Sequence, residues 1–234
     1  MKYARPLIRA VLTRRYKRFL ADVTLPDGTA ATAHCANPGA MTGLAEAGTV
    51  VWLEPNDDPK RKLRYSWKLA EIGGALVGVD TALPNKVVGA ALRTQAVPAL
   101  AAYKNVRAEV KYGAASRVDF LLTQAGLPNC YVEVKSANLC RTAGLVEFPD
   151  TVTKRGAKHM DELAAMVAEG HRAVVLYLVQ RSDCSAFAVA ADIDPAYNAA
   201  FEAARAQGVE ALCYRVDLTL EVSSFGEALP IVAQ

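Results

Sequence analysis

Arg117-Val118-Asp119-Phe120-Leu121-Leu122 leads into a turn with Gly126, Pro128 and Asn129, and then into Cys130-Tyr131-Val132-Glu133-Val134-Lys135. Both halves are short and rich in β-forming residues, and turn chemistry separates them, so two strands are expected. Alternate side chains of a strand share a face. Glu133 and Lys135 therefore point one way, with Val132 and Val134 opposite. Likewise Arg117 and Asp119 share a face, with Val118 and Phe120 opposite. A hairpin pairing the two strands can bring Asp119, Glu133 and Lys135 onto one patch. Two carboxylates suit a hard divalent cation, Mg2+ or Mn2+, and the Val134 carbonyl between the site residues is a further candidate ligand. An ammonium has no lone pair to give a metal, so Lys135 is expected near an attacking water or a charged phosphate instead. The pattern points to metal-assisted phosphodiester chemistry with Asp119, Glu133 and Lys135 as catalytic residues. Glu-x-Lys also occurs on solvated sheet faces, and the surrounding chain decides between these readings.

That chain has 234 residues, 52% of them hydrophobic and 22% charged, which suits one large or two small globular domains. Its longest apolar run, Ala173 to Val179, is too short for a membrane span. The N-terminus lacks the apolar core of a signal peptide, so a cytosolic protein is expected. The cysteines at 35, 130, 140, 184 and 213 form no Cys-x-x-Cys pair and no zinc spacing with the histidines at 34, 159 and 171. Buried free thiols are the expectation.

Charge is unevenly placed. Residues 1–83 hold twelve Lys/Arg against eight Asp/Glu, net +4, and the remainder is net −1. Arg14, Arg15, Lys17 and Arg18 belong to a first stretch that has no acid. Lys60, Arg61, Lys62, Arg64 and Lys68 interleave with Tyr65 and Trp67. Cations with aromatics fit a nucleic-acid groove, where rings stack on unpaired bases. Tyr65, Trp67 and Lys68 are candidates for that contact. A solvated basic surface, or rings in a core, is the alternative.

The first eighty residues read as short strands: Leu7–Leu12, Phe19–Leu25, Thr29–Cys35, Thr49–Leu53, Tyr65–Ile72 and Leu76–Val79. This spacing suggests a small barrel, such as a five-stranded one that binds oligonucleotides. From Pro84 the pattern changes. A helix over Lys86–Val97 is followed by strands at Val106–Tyr112, Arg117–Thr123 and Tyr131–Lys135. Next comes a helix from an Asp150 cap to Glu169, an apolar and therefore central strand at Arg172–Gln180, a helix at Ala196–Gln207 and a last strand at Val209–Val216. Lys154, Arg155 and Lys158 open the second helix, where N-terminal dipoles favour phosphate. The division expected is 1–83 and 84–234, closely packed.

These residues resemble the bacterial sugar fermentation stimulation protein family over essentially the whole chain. The segments that carry the resemblance are Arg15-Tyr16-Lys17-Arg18-Phe19-Leu20-Ala21-Asp22-Val23, His34-Cys35-Ala36-Asn37-Pro38-Gly39-Ala40-Met41, Asp80-Thr81-Ala82-Leu83-Pro84-Asn85, Glu109-Val110-Lys111-Tyr112-Gly113, Arg117–Leu121, Tyr131–Lys135, and Phe148-Pro149-Asp150 through Arg155-Gly156 to Lys158-His159. The resemblance implies an N-terminal OB-like barrel and a C-terminal PD-(D/E)XK nuclease-like mixed sheet, with Asp119, Glu133 and Lys135 on the nuclease motif. It also implies DNA binding and, for some members, a regulatory role in sugar utilisation. Many such nucleases carry a carboxylate on the first helix, and Lys86–Val97 has none. Two readings follow, a Mg2+-dependent nuclease on DNA and a non-catalytic DNA-binding regulator. Backbone charge alone does not separate DNA from RNA.

Overall fold

The apolar alternation of the first half closes on itself as a barrel. In the computed structural model, which describes residues 1–112 and 116–233, six strands form one sheet. They are β1 (Ile8–Tyr16), β2 (Leu20–Thr24), β3 (Ala30–Cys35), β4 (Val50–Pro55), β5 (Tyr65–Ile72) and β6 (Ala75–Gly78). The order is β3-β2-β1-β4-β5-β6, and a parallel β3–β5 pairing through Ala33, His34 and Cys35 closes five of them into a ring. Gly113, the last residue of one family-like segment, lies outside the described residues.

The barrel interior corrects one expectation. Tyr65 and Trp67 do share a face, but it is the inner one. Trp67 is 0% exposed, and its indole Nε1 donates to the Leu69 carbonyl at 2.8 Å. Tyr65 is half-buried against the same cluster. Trp67 packs in one cluster with Leu12 and Leu53 and cannot stack on a base. Alternation puts both rings on one face but does not decide which side of the barrel wall that face lines.

The second half is a mixed sheet in the order β15-β14-β12-β9-β8-β7. Its strands are β7 (Asn105–Tyr112), β8 (Ser116–Thr123), β9 (Cys130–Ala137), β12 (Arg172–Val179), β14 (Glu210–Leu218) and β15 (Ser223–Ala228). The central position expected for β12 holds, with parallel β9 and β14 on its two sides. Helix α1 (Leu83–Arg93) covers one face with Val87, Val88 and Leu92. Helices α2 (Lys154–Ala168) and α3 (Pro195–Ala206) cover the other with Met160, Leu163 and Phe201. A small extra sheet, β10 (Leu139–Thr142), β11 (Leu145–Phe148) and β13 (Ala186–Val189), was not legible, because four-residue strands with mixed polarity show no period.

Two boundaries also differ. The cap of α2 is Thr153, whose side chain accepts from the Gly156 amide, and not Asp150. Asp150 instead reaches back to the barrel, accepting from the Met41 amide at 3.4 Å. Helix α1 starts three residues earlier than the sequence suggested, so the division expected at residue 83 lands on its first residue and Asn85 joins its first turn.

The halves are stitched along β6. The Gly78 amide donates to the Gln180 carbonyl at 2.8 Å, and a Cβ on Gly78 would lie 2.5 Å from Gln180 Oε1, so a larger residue would have to displace the buried Gln180 side chain. On the same seam Lys68 binds Asp80 at 2.8 Å and Glu54 at 3.5 Å. Lys2 bridges to Val222, laying the start of the chain against the second domain. No helix among the described residues is long and apolar enough to cross a membrane. Replacing Trp67 with Ala should cost about 3–5 kcal/mol in urea denaturation, the usual penalty for emptying a core ring site. A loss under about 1 kcal/mol would place that ring outside the core.

Candidate active site

The site forms where β8 and β9 part. Their pairing runs through Leu122–Cys130, Leu121–Tyr131 and Phe120–Val132 and goes no further. At the next step Asp119 Oδ2 accepts the Val134 amide at 2.7 Å, so a side chain takes the place of a backbone partner. Across β7 the facing residue Glu109 has φ of 54°, a left-handed conformation that costs an L-residue about 1–2 kcal/mol. Strict alternation fails here as well. Val118 packs toward α2 and α3, whereas Phe120 packs toward α1. The local distortion swings Asp119 out of the sheet register and leaves its carboxylate beside β9.

Asp119 Oδ1 accepts from Asn85 Nδ2 at 2.6 Å. The first helix thus contributes an amide where a carboxylate was absent from the sequence. Burial raises the Asp119 pKa to about 6, and the nearby charge of Glu133 adds to the rise against the Val134 and Asn85 hydrogen bonds. Two carboxylates crowded in a half-dry site repel each other unless a proton or a cation intervenes.

Glu133 is 4% exposed. Burial pushes its carboxyl up, but His159 and Lys135 outweigh that and hold it below the usual range. Glu133 Oε1 pairs with Lys135 Nζ at 2.9 Å and makes a short hydrogen bond with His159 Nδ1. Arg155 Nε donates to His159 Nε2 at 3.2 Å, so Nε2 carries the lone pair and Nδ1–H faces the carboxylate. All these partners hold Oε1. Glu133 Oε2 is buried with no hydrogen-bond partner. An unmet carboxylate oxygen beside a second, repelled carboxylate is a donor set suited to a hard cation. Among the described residues no group of three or more His, Cys, Asp or Glu side chains converges as a metal site, so any cation here relies on two carboxylates, backbone and water.

Beside the site a 320 Å³ cleft runs between the domains, lined by Asn37 and Gly39 of the barrel, Val134 and Lys135 of β9, and Asp150 and Thr153. Arg15 holds the barrel wall of this cleft in place, donating to the Asn37 and Gly39 carbonyls at 2.7 and 3.0 Å. Its anticipated phosphate contact is thereby replaced, for one guanidinium nitrogen, by a structural one.

The other anticipated binding residues divide. Lys154, Arg155 and Lys158 are exposed on the first turns of α2, next to the site. Lys158 also pairs with Glu162 at 3.4 Å. Arg14 is exposed on β1, paired with Asp22 at 2.8 Å and stacked over Tyr16. Lys17 and Arg18 form the exposed β1–β2 turn. Lys68 is spent on the interdomain seam, where burial would lower its pKa but Asp80 and Glu54 raise it. Sequence reasoning missed Asn85 and His159. Both stood inside the family-like segments, and the Arg155/His159 spacing of four places them on one helix face.

This geometry belongs to a two-domain protein, an oligonucleotide-type barrel joined to a mixed-sheet domain with an acidic cleft site. The sugar fermentation stimulation protein RE domain matches residues 82–222, and the SfsA N-terminal OB domain matches residues 13–79. The chain therefore belongs to the sugar fermentation stimulation protein family. Curated homologues from Ruegeria sp. (strain TM1040) and Ruegeria pomeroyi are 61% and 60% identical, covering 98% and 97% of this chain and 100% and 97% of their own. A solved structure of Pyrococcus furiosus SfsA in complex with Ca2+ superposes with a TM-score of 0.88 at 25% identity, covering 99% of this chain and 98% of that one.

The raised Asp119 pKa has a sign that can be measured. The folded state binds this proton more tightly than the unfolded state, so the group's stabilising share is complete below about pH 4 and is lost as pH rises through about 6. In chelator, Asp119→Asn should exceed wild type in stability at pH 8 by up to about 3 kcal/mol, with the gap closing toward pH 4. Paired urea titrations at the two pH values read it. An equal gap at both would refute the assignment.

Proposed function

We propose that this protein is a divalent-metal-dependent nuclease acting on DNA. The observation that carries the reading is Glu133 Oε2, buried without a partner on a carboxylate whose charge acts on Asp119, with Lys135 at 2.9 Å from the other oxygen. Asp119 and Glu133 would hold Mg2+ or Mn2+, with the Val134 carbonyl as a further oxygen. Binding of Ca2+ by the similar Pyrococcus furiosus protein supports an oxygen-ligated divalent cation in this fold. When bound, such a cation supplies Lewis-acid polarisation of a phosphodiester and a more acidic water.

The chain's own residues do the rest. His159 and Lys135 anchor Glu133 Oε1, which leaves Oε2 aimed and free. Asn85 and the Val134 amide fix the Asp119 carboxylate. Lys135 can donate to the attacking water or neutralise charge building on the phosphate. Lys154, Lys158 and the open end of Arg155 receive neighbouring phosphates at the α2 N-terminus. Arg14, Lys17 and Arg18 extend the cationic track onto the barrel. Such contacts are directed at phosphate and carry little sequence preference, and they suit RNA as well as DNA.

One observation favours a second reading. Among the described residues no third acidic side chain joins Asp119 and Glu133 as a metal group, and the first helix offers Asn85. A sparse ligand set suits a cation that docks a backbone phosphate without turnover, as in a DNA-binding regulator.

A metal-titrated cleavage assay on single- and double-stranded DNA and RNA separates the readings. The nuclease reading expects cleavage by wild type and at least a hundredfold loss in Asp119→Ala. It expects Lys135→Ala to keep metal binding and lose turnover. Cleavage unchanged by Asp119→Ala would expose a contaminant. Metal-dependent DNA binding without any product would establish the regulator. Separately, Arg14→Ala with Arg18→Ala should weaken DNA binding for all sequences alike and reduce the slope of log affinity against log salt by about one to two. Salt-independent affinity would exclude these phosphate contacts.

A further inference from the structure

The barrel carries a ring pair that nothing above has used. Phe19 is the last residue of the β1–β2 turn, just before β2, and is 45% exposed, high for a phenylalanine. It lies nearly parallel to the exposed ring of His34 on β3, with an interplanar angle of 16° and centroids 6.4 Å apart. The placement is fixed by backbone. The Cys35 amide donates to the Phe19 carbonyl at 2.9 Å, and Leu20 pairs with His34. Two rings, one on β3 and one on the turn that these backbone bonds tie to it, are thus left open to solvent.

The turn beside them is unusual in composition. Lys17 and Arg18 both take left-handed φ, 49° and 62°. With Phe19 they form the three-residue connection between the paired Tyr16 and Leu20, and each non-glycine residue in the left-handed region costs about 1–2 kcal/mol. The chain nevertheless places two exposed cations at these positions, with no ion pair or side-chain hydrogen bond among the described residues. Strain kept in place of an easy turn suggests a use for the side chains that occupy it. Arg14 stands on the same hairpin. The adjacent Arg15 ties it to the Asn37–Gly39 wall of the interdomain cleft.

We propose that Phe19 and His34 form a stacking platform for the bases of single-stranded nucleic acid, with Lys17 and Arg18 on its phosphates, and that the strand continues past Asn37 and Gly39 toward Lys135. This rests on the nucleic-acid reading and narrows it to unpaired strands. A ring face stacks on any base, whereas a paired base keeps its faces inside the duplex, so the platform discriminates by strandedness and not by sequence. Its location also replaces Trp67, which the barrel encloses, and the half-buried Tyr65.

Fluorescence anisotropy with the full chain tests it, using labelled oligo-dT and a labelled DNA hairpin duplex in parallel. Phe19→Ala should weaken oligo-dT binding about five- to 150-fold and leave duplex affinity within about twofold. Phe19→Trp should restore oligo-dT binding and show quenching of the new exposed tryptophan on titration. Far-UV circular dichroism and the urea midpoint confirm that each variant folds. His34→Ala supplies a second, independent removal with the same expected pattern. Equal losses on both probes, or no loss on oligo-dT, would overturn the platform while leaving the nucleic-acid reading intact. Failure of wild type to bind either probe would overturn both.

Discussion

Two like charges held side by side are the constraint on which the site depends. Asp119 and Glu133 come from adjacent strands that stop pairing just before they meet. Had the ladder continued, the Val134 amide would belong to β8 backbone and the Asp119 carboxylate would have no fixed seat. Instead that amide and Asn85 bind Asp119, while His159 and Lys135 bind one oxygen of Glu133. Each carboxylate is held by donors, yet the pair is left short of positive charge in a half-dry setting. That deficit is a property of the folded chain and supplies a chemical reason for a cation.

The fold makes this possible by what surrounds the parting. Strand β12 and its neighbours give β9 a rigid, fully buried seat, and α1 and α2 press the two faces from opposite sides. From α1 comes Asn85, and from α2 come Arg155 and His159, so a helix on each face of the sheet also reaches its polar end. The barrel adds the far wall of the cleft through the loop that Arg15 holds. The hydrogen bond from the Gly78 amide to the Gln180 carbonyl ties the two domains together across it.

Much of this was legible in the sequence because it rests on period. The Glu133/Lys135 alternation, the apolar run of β12 and the short strands of the barrel are local patterns, and the structure keeps them. Convergence of Asp119 with Glu133 also followed from a hairpin, although its detailed geometry did not: strict alternation puts Val118 and Phe120 together, and the distortion opposite Glu109 separates them. Trp67 shows another limit. Alternation gives the face but not its exposure, which depends on closure by the distant β3–β5 pairing. Asp150 resembled a helix cap locally, while its actual partner, Met41, lies in another domain. His159 was invisible as a site residue because its partner Glu133 is far away in sequence and only packing of α2 on the sheet brings them together.

The central claim is that the unmet oxygen of Glu133 and the Asp119 carboxylate form one cation seat. Anomalous diffraction from crystals equilibrated with Mn2+ tests it most directly. The account predicts a peak bridging Asp119 and Glu133 Oε2, with Glu133 Oε1 still held by His159 and Lys135. A peak only at the Glu54–Asp80 seam, or no peak at saturating Mn2+, would contradict it.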